Sequence, residues 1–213
     1  MAAVHMPLLV ISLEATLAKV AKCLGRWGAT PNILTCASLI PAVACGIAAG
    51  SGAFLPAAIF LLLSGVLDLL DGSLARLTNS ETRFGALLDS SLDRISDAAP
   101  AVGLILFFAP NGWVAVFPAL TLVGAFQISY VRARAESLGA KLPWLWMRRS
   151  DRLIVLTIAL LLGSIHLPGI SLRAPLTLAV LAPAYVLNFF AFVSALLAAR
   201  KCLDPQIQAR RVN

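Results

Sequence analysis

Five aspartates, Asp68, Asp71, Asp89, Asp93 and Asp97, fall within thirty positions of a chain that has ten acidic residues altogether. Asp68 and Asp71 are three apart, while Asp89, Asp93 and Asp97 are spaced by four. On helices, each set shares one face. If the two helices run antiparallel, the faces meet, and Asp68, Asp71, Asp89 and Asp93 surround one small volume. Carboxylates that close repel unless something neutralises them, and oxygen ligands in this number suit a hard divalent cation, Mg2+ or Mn2+. Two ions about 3.5–4 Å apart can share bridging carboxylates. A solvated helix end is the simpler reading, but it gives no reason for two matched stripes. Gly72 directly follows Asp71, and Gly85 lies one turn before Asp89; both remove a side chain where a ligand can approach closely. Ala75 is small on the same helix, and Arg76 offers a charge for a carboxylate or phosphate.

The elements that must hold these residues are apolar. The chain has 213 residues, 60% hydrophobic and 13% charged, with a mean hydropathy of +0.89, well outside the range of a soluble domain. Six apolar stretches of spanning length are expected, at 32–50, 53–76, 84–108, 112–138, 152–167 and 172–200. The predicted fold is an all-α integral membrane domain over residues 1–213, six transmembrane helices plus an N-terminal interfacial amphipathic helix at 8–27. In that helix Leu9, Leu13, Leu17, Val20 and Leu24 recur at helical spacing, with Lys19, Lys22 and Arg26 on another face. Thr30-Pro31-Asn32 then breaks it and starts the first span.

Lys and Arg set the orientation. They gather before the first span, around the second-to-third and fourth-to-fifth connections, and after the sixth, whereas the opposite connections hold only Arg173. Both termini and the aspartates are therefore expected at the cytoplasmic face of the cell (inner) membrane. The net charge of +7 fits attraction to anionic lipid or phosphate. Its basic residues lie beside spans and follow no groove-reading motif, so no nucleic acid partner is expected. The four cysteines have no metal-ligand or CxxC spacing and read as small apolar fillers.

The aspartate segment resembles the signature of the CDP-alcohol phosphotransferase family, D-x2-D-G-x2-A-R-x8-G-x3-D-x3-D, at every position: Asp68, Asp71, Gly72, Ala75, Arg76, Gly85, Asp89 and Asp93. The resemblance implies an enzyme that moves the phosphatidyl or a similar group from a CDP-linked donor to an alcohol and releases CMP. It implies Mg2+ or Mn2+, two ions, held by Asp68, Asp71 and Asp89 with help from Asp93, and Asp93 as general base. Gly72, Ala75, Arg76 and Gly85, with Asp68, would border the CDP donor. Asp97 lies outside the signature and reads as a supporting or helix-contact carboxylate, with lining of a water-filled cavity as the rival reading. TPNILT, 30–35, is similar to the family's first-helix start near the nucleotide.

From about residue 82 to 155 the chain resembles one branch of that family, the bacterial phosphatidylinositol-phosphate synthases, which use CDP-diacylglycerol and inositol 1-phosphate. That likeness implies an acceptor pocket at Ser129, Arg149 and Arg152, with Arg132 and Arg134 at its cytoplasmic edge. An anionic phosphorylated polyol, inositol 1-phosphate favoured, suits such a cluster, although the positive-inside rule alone also places arginines here. Members that the chain otherwise resembles read Glu-Arg where it has Arg148-Arg149. Two other readings stand beside this one. A phosphatidylglycerophosphate synthase would use the same donor with glycerol 3-phosphate, and a cation or proton transporter would use intramembrane aspartates as its path. A homodimer is usual in the family, and the sequence does not mark its interface.

Overall fold

The computed structural model describes residues 8–143, 146–165 and 174–204, with side chains from residue 16 onward. Among the described residues there are helices and no strand. In chain order the helices are α1 (Leu8–Arg26), α2 (Pro31–Gly50), α3 (Phe54–Thr78), α4 (Arg83–Phe108), α5 (Val116–Ser137), α6 (Arg149–Gly163) and α7 (Pro175–Leu203). A 3-10 segment, Ala109–Ala115, joins α4 to α5, and its chain direction changes at Gly112, whose φ is 59°. Arg173, Trp144, the segment 166–173 around His166, and the basic tail at Arg210 and Arg211 lie outside the described residues.

Among the described residues, four runs are long and apolar enough to cross a membrane: Pro31–Gly50, Phe54–Thr78, Arg83–Ser137 and Pro175–Leu203. This differs from the six expected stretches for two reasons. The third run joins α4 and α5 through the 3-10 segment, giving 55 residues in one piece. The stretch expected at 152–167 appears as α6, whose described helix has 15 residues.

Close packing between helices depends on residues without bulk. A Cβ on Gly103 would collide with the carbonyl of Gly46, and one on Gly46 with that of Ala99, so α2 and α4 meet backbone to backbone. Likewise Gly65 of α3 meets Leu153 of α6, and Gly124 of α5 meets Asn188 of α7. Thr177 on α7 donates to the Ala159 carbonyl of α6.

The aspartate-bearing helices α3 and α4 scarcely touch each other; both pack on α2. Their carboxylates therefore face one another across a gap, with α2 as the brace. The direct face-to-face helix pair implied by the spacing is replaced by a three-helix arrangement, which leaves room for ligands between the stripes. On the outer side of α3, α1 buries Ala21 and packs Leu17 and Leu24 against Leu70 and Leu74. Val20, expected on that apolar face, is instead 43% exposed. Lys19, Lys22 and Arg26 are exposed.

Candidate metal centre and flanking cavities

Short caps fix the ends of the three helices around the gap. Thr30 caps α2, its hydroxyl accepting from the Ile33 amide at 3.3 Å, with Pro31 in the first turn where the missing N–H costs nothing. Asn79 closes α3 in the left-handed conformation, φ 49°, and Thr82 caps α4 by accepting from the Gly85 amide at 2.9 Å. The turn between α3 and α4 is therefore short, and the aspartates on either side of it stay within reach of each other.

One carboxylate oxygen each from Asp68, Asp71 and Asp89 lies within 4.8 Å of the others. Asp71 is buried, and its Oδ2, together with Oδ1 of Asp68, is buried without a hydrogen-bond partner. Oxygens in that condition are costly unless a cation takes them up, and an all-carboxylate set fits a hard divalent ion. On this geometry the residues fit the metal that the sequence leads one to expect.

Two cavities flank the aspartates, one lined by Asp71 and Asp89, the other by Asp93 and Asp97. The first, of about 300 Å³, is lined by Asn32 and Thr35 of α2, by Asp71, Gly72, Ala75 and Arg76 of α3, and by Thr82, Gly85 and Asp89 around the start of α4. Gly72, Ala75, Gly85 and Ala86 leave parts of its wall with no side chain beyond a methyl group, while Asp71, Arg76, Glu81 and Asp89 bring charge. A Cβ on Gly85 would sit 3.0 Å from the Thr82 hydroxyl and 3.2 Å from Asn32 Oδ1, whereas one on Gly72 meets nothing nearer than Arg76 at 3.5 Å. Thr35 is buried, within hydrogen-bonding reach of Asp71 and donating to the Pro31 carbonyl at 3.0 Å.

The second cavity, about 230 Å³, is lined by Asp93 and Asp97 of α4, Ser129 and Arg132 of α5, and Arg149 and Arg152 of α6, with Glu136, Trp146 and Arg148 among the rest. It is built from long charged side chains. Arg149 Nη1 lies 2.5 Å from Asp68 Oδ2 and 2.9 Å from Asp93 Oδ1, and its Nε lies 3.6 Å from Asp97. Arg152 Nη2 donates to Asp97 at 2.8 Å and lies 3.5 Å from the Ser129 hydroxyl, while its Nη1 donates to the Met147 carbonyl at 2.9 Å.

The residues expected at the donor thus gather on one side, except that Asp68 is absent from that lining and turns toward Arg149. Those expected at the acceptor gather on the other, except Arg134. It is exposed, lies within 3.5 Å of the Ser137 hydroxyl on its own helix, and is not part of the cavity wall. Two steps along a helix turn a side chain by about 200°, so Arg132 and Arg134 cannot both face the pocket. The pairing of Asp97 with Arg152, and the places of Glu136 and Trp146, were not foreseen. For Asp97 a signal existed, since it continues the four-residue stripe of Asp89 and Asp93.

Residues 28–200 match the family model described as CDP-alcohol phosphatidyltransferase. The archaetidylinositol phosphate synthase of Pyrococcus horikoshii is 32% identical over 193 residues, 90% of this chain and 95% of the relative. The crystal structure of Mycobacterium tuberculosis phosphatidylinositol phosphate synthase with CDP-DAG bound is similar with a TM-score of 0.78 and 28% identity, covering 86% of this chain and 93% of that one. The structure of the same mycobacterial enzyme in complex with manganese and citrate gives a TM-score of 0.77 at 28% identity, with coverage of 86% and 88%.

Proposed function

The chain belongs to the CDP-alcohol phosphatidyltransferase family, and from that premise we propose that it transfers the phosphatidyl group of CDP-diacylglycerol to a hydroxyl of inositol 1-phosphate, giving phosphatidylinositol phosphate and CMP. The observation that carries this reading is the pair of cavities flanking the carboxylates: one shaped by Gly72, Ala75 and Gly85, one arginine-lined. The relatives' names support the acceptor, because the archaeal and mycobacterial synthases differ in the lipid they name and share inositol phosphate. Neither glycerol 3-phosphate as acceptor nor ion transport is favoured by those names.

Asp68, Asp71 and Asp89, with Asp93, would hold two divalent ions, Mg2+ or Mn2+, which neutralise charge on the donor's pyrophosphate oxygens when bound. Gly72, Ala75 and Gly85 let the cytidine diphosphate lie against helix backbone, and Arg76 offers a guanidinium to a phosphate. Arg149 and Arg152, backed by Ser129 and Arg132, orient the acceptor through its phosphate. The acceptor hydroxyl attacks the phosphorus that bears diacylglycerol, and the bond from that phosphorus to the bridging oxygen breaks. CMP leaves with that oxygen, and Asp93 takes the hydroxyl proton. An in-line displacement requires the acceptor to reach the phosphorus from the side opposite the leaving group.

In the membrane, the same proposal has α2 to α7 crossing six times, with α4 and α5 as separate crossings joined at Gly112. The carboxylates then lie at the cytoplasmic face of the cell (inner) membrane, and the protein works as a homodimer. Mass measurement in detergent checks the last point: a monomer-only mass removes it.

CMP release is the deciding experiment. Purified protein is given CDP-diacylglycerol and Mg2+ or Mn2+, with inositol 1-phosphate, glycerol 3-phosphate, serine or free inositol in parallel. Turnover with inositol 1-phosphate alone is expected. Turnover with glycerol 3-phosphate instead would discard the acceptor assignment and keep the family chemistry.

A further inference from the structure

Arg149 faces the carboxylates as well as the acceptor cavity. A single guanidinium nitrogen, Nη1, stands between Oδ2 of Asp68 and Oδ1 of Asp93. The other oxygen of Asp68 and Oδ2 of Asp71 remain buried and unpartnered. The trio of Asp68, Asp71 and Asp89 therefore keeps open oxygens for one cation, while the space between Asp68 and Asp93 already holds a positive charge.

Building on the two-ion reading above, we infer that the two cation positions are unequal. The position among Asp68, Asp71 and Asp89 is preformed. The position between Asp68 and Asp93 is held by the Arg149 guanidinium, which a second divalent ion must displace and which then turns to the acceptor's phosphate. Guanidinium and metal ion exclude one another there, because both are cations and both need the same two carboxylate oxygens. The displaced side chain has a destination within reach. Arg149 lines the arginine-rich cavity together with Ser129, Arg132 and Arg152, and an anion in that cavity offers it a bidentate partner.

Linkage makes the exchange reciprocal. A phosphorylated acceptor that draws Arg149 away vacates the second cation position, and an ion arriving there sends Arg149 toward the acceptor. The consequence for the reaction is timing. Until an anionic acceptor is present, Asp93 stays in an ion pair with Arg149 and is withheld from water, which would otherwise compete to hydrolyse the donor.

The test is Mn2+ binding to the purified full chain in detergent, followed by electron paramagnetic resonance and calorimetry, with and without inositol 1-phosphate. Wild type should bind one Mn2+ tightly and a second more weakly, and inositol 1-phosphate should tighten the second by about 5- to 150-fold, the usual range of coupling between sites. Arg149→Gln should tighten the weaker site by a similar factor and abolish the response to inositol 1-phosphate. Arg152→Gln is the control, since Arg152 touches Asp97 and neither Asp68 nor Asp93; its weaker site should match wild type. Two equal Mn2+ sites in wild type, or an Arg149→Gln curve that superimposes on wild type, would overturn the exchange while leaving the metal centre in place. No Mn2+ bound by any of the three proteins would overturn the metal reading and this inference with it.

Discussion

The two cavities that flank the aspartates are built by opposite means. On the donor side the wall is α-helix backbone at Gly72, Ala75 and Gly85, with one arginine, Arg76, and the shape is set by side chains that are missing. On the acceptor side the wall is Ser129, Arg132, Arg149 and Arg152 against Asp93 and Asp97, and the shape is set by charges that hold one another. A missing side chain cannot move, so the donor cleft is rigid as soon as its helices pack. A guanidinium changes partners at little cost. The contrast therefore predicts fixed recognition of the nucleotide and adjustable recognition of the acceptor.

Removing the metal should abolish both halves together. EDTA is expected to bring CMP release to background and Mg2+ or Mn2+ to restore it; turnover that survives chelation would mean that the carboxylates do not work through a divalent ion. Asp93→Asn comes next. Loss of a positioned base costs about 10²–10⁴ in rate, so kcat should fall by at least that range, since Asp93 also helps to hold the second ion, while the KM for CDP-diacylglycerol changes much less, because Asp93 lines the acceptor cavity. A rise in donor KM as large as the fall in kcat would merge the two sides.

Arg152→Ala should separate them most cleanly. Hydrogen bonds to charged groups contribute about 1.5–3 kcal/mol, which corresponds to a roughly 10- to 100-fold rise in acceptor KM with the donor KM unchanged. Gly72→Ala makes the mirror-image change. A methyl group there meets no protein atom closer than Arg76 at 3.5 Å, so the helix tolerates it. A higher donor KM, by about tenfold or roughly 1.4 kcal/mol, would then report contact with the ligand itself. An unchanged donor KM would mean that Gly72 serves some purpose other than close approach. Gly85→Ala is a poorer probe, because its methyl also presses on Thr82 and Asn32.

The same contrast governs what could be read from the sequence. Donor-side residues are legible because they are local: Asp71, Gly72, Ala75 and Arg76 follow one another on α3, Gly85 and Asp89 open α4, and spacing alone puts each set on one face. The cap at Thr30-Pro31 is legible for the same reason. The acceptor side joins α3, α4, α5 and α6 through pairs far apart in the chain, such as Arg152 with Asp97 and Arg149 with Asp68. No period encodes which long side chain reaches which carboxylate. Nor could the sequence tell that α3 and α4 would be held apart by α2, since that follows from Gly46 and Gly103 removing bulk at one contact among many glycine-bearing faces.

Arg134 carries the smallest expected effect and tests that last point directly. Sequence position puts it beside Arg132 at the pocket's edge, and the net positive charge of the region gives no means of telling the two apart. The helix does: Arg132 lines the cavity, whereas Arg134 is exposed and reaches back to Ser137. An exposed substitution away from a site is usually worth less than about 0.5 kcal/mol. Arg134→Ala should therefore change acceptor KM by no more than about twofold, while Arg132→Ala raises it well beyond that. If the two variants weaken the acceptor equally, the arginines act as a diffuse positive field that draws an anion toward the membrane surface. The acceptor side would then lack a defined pocket, and its contrast with the donor cleft would be one of charge rather than of architecture.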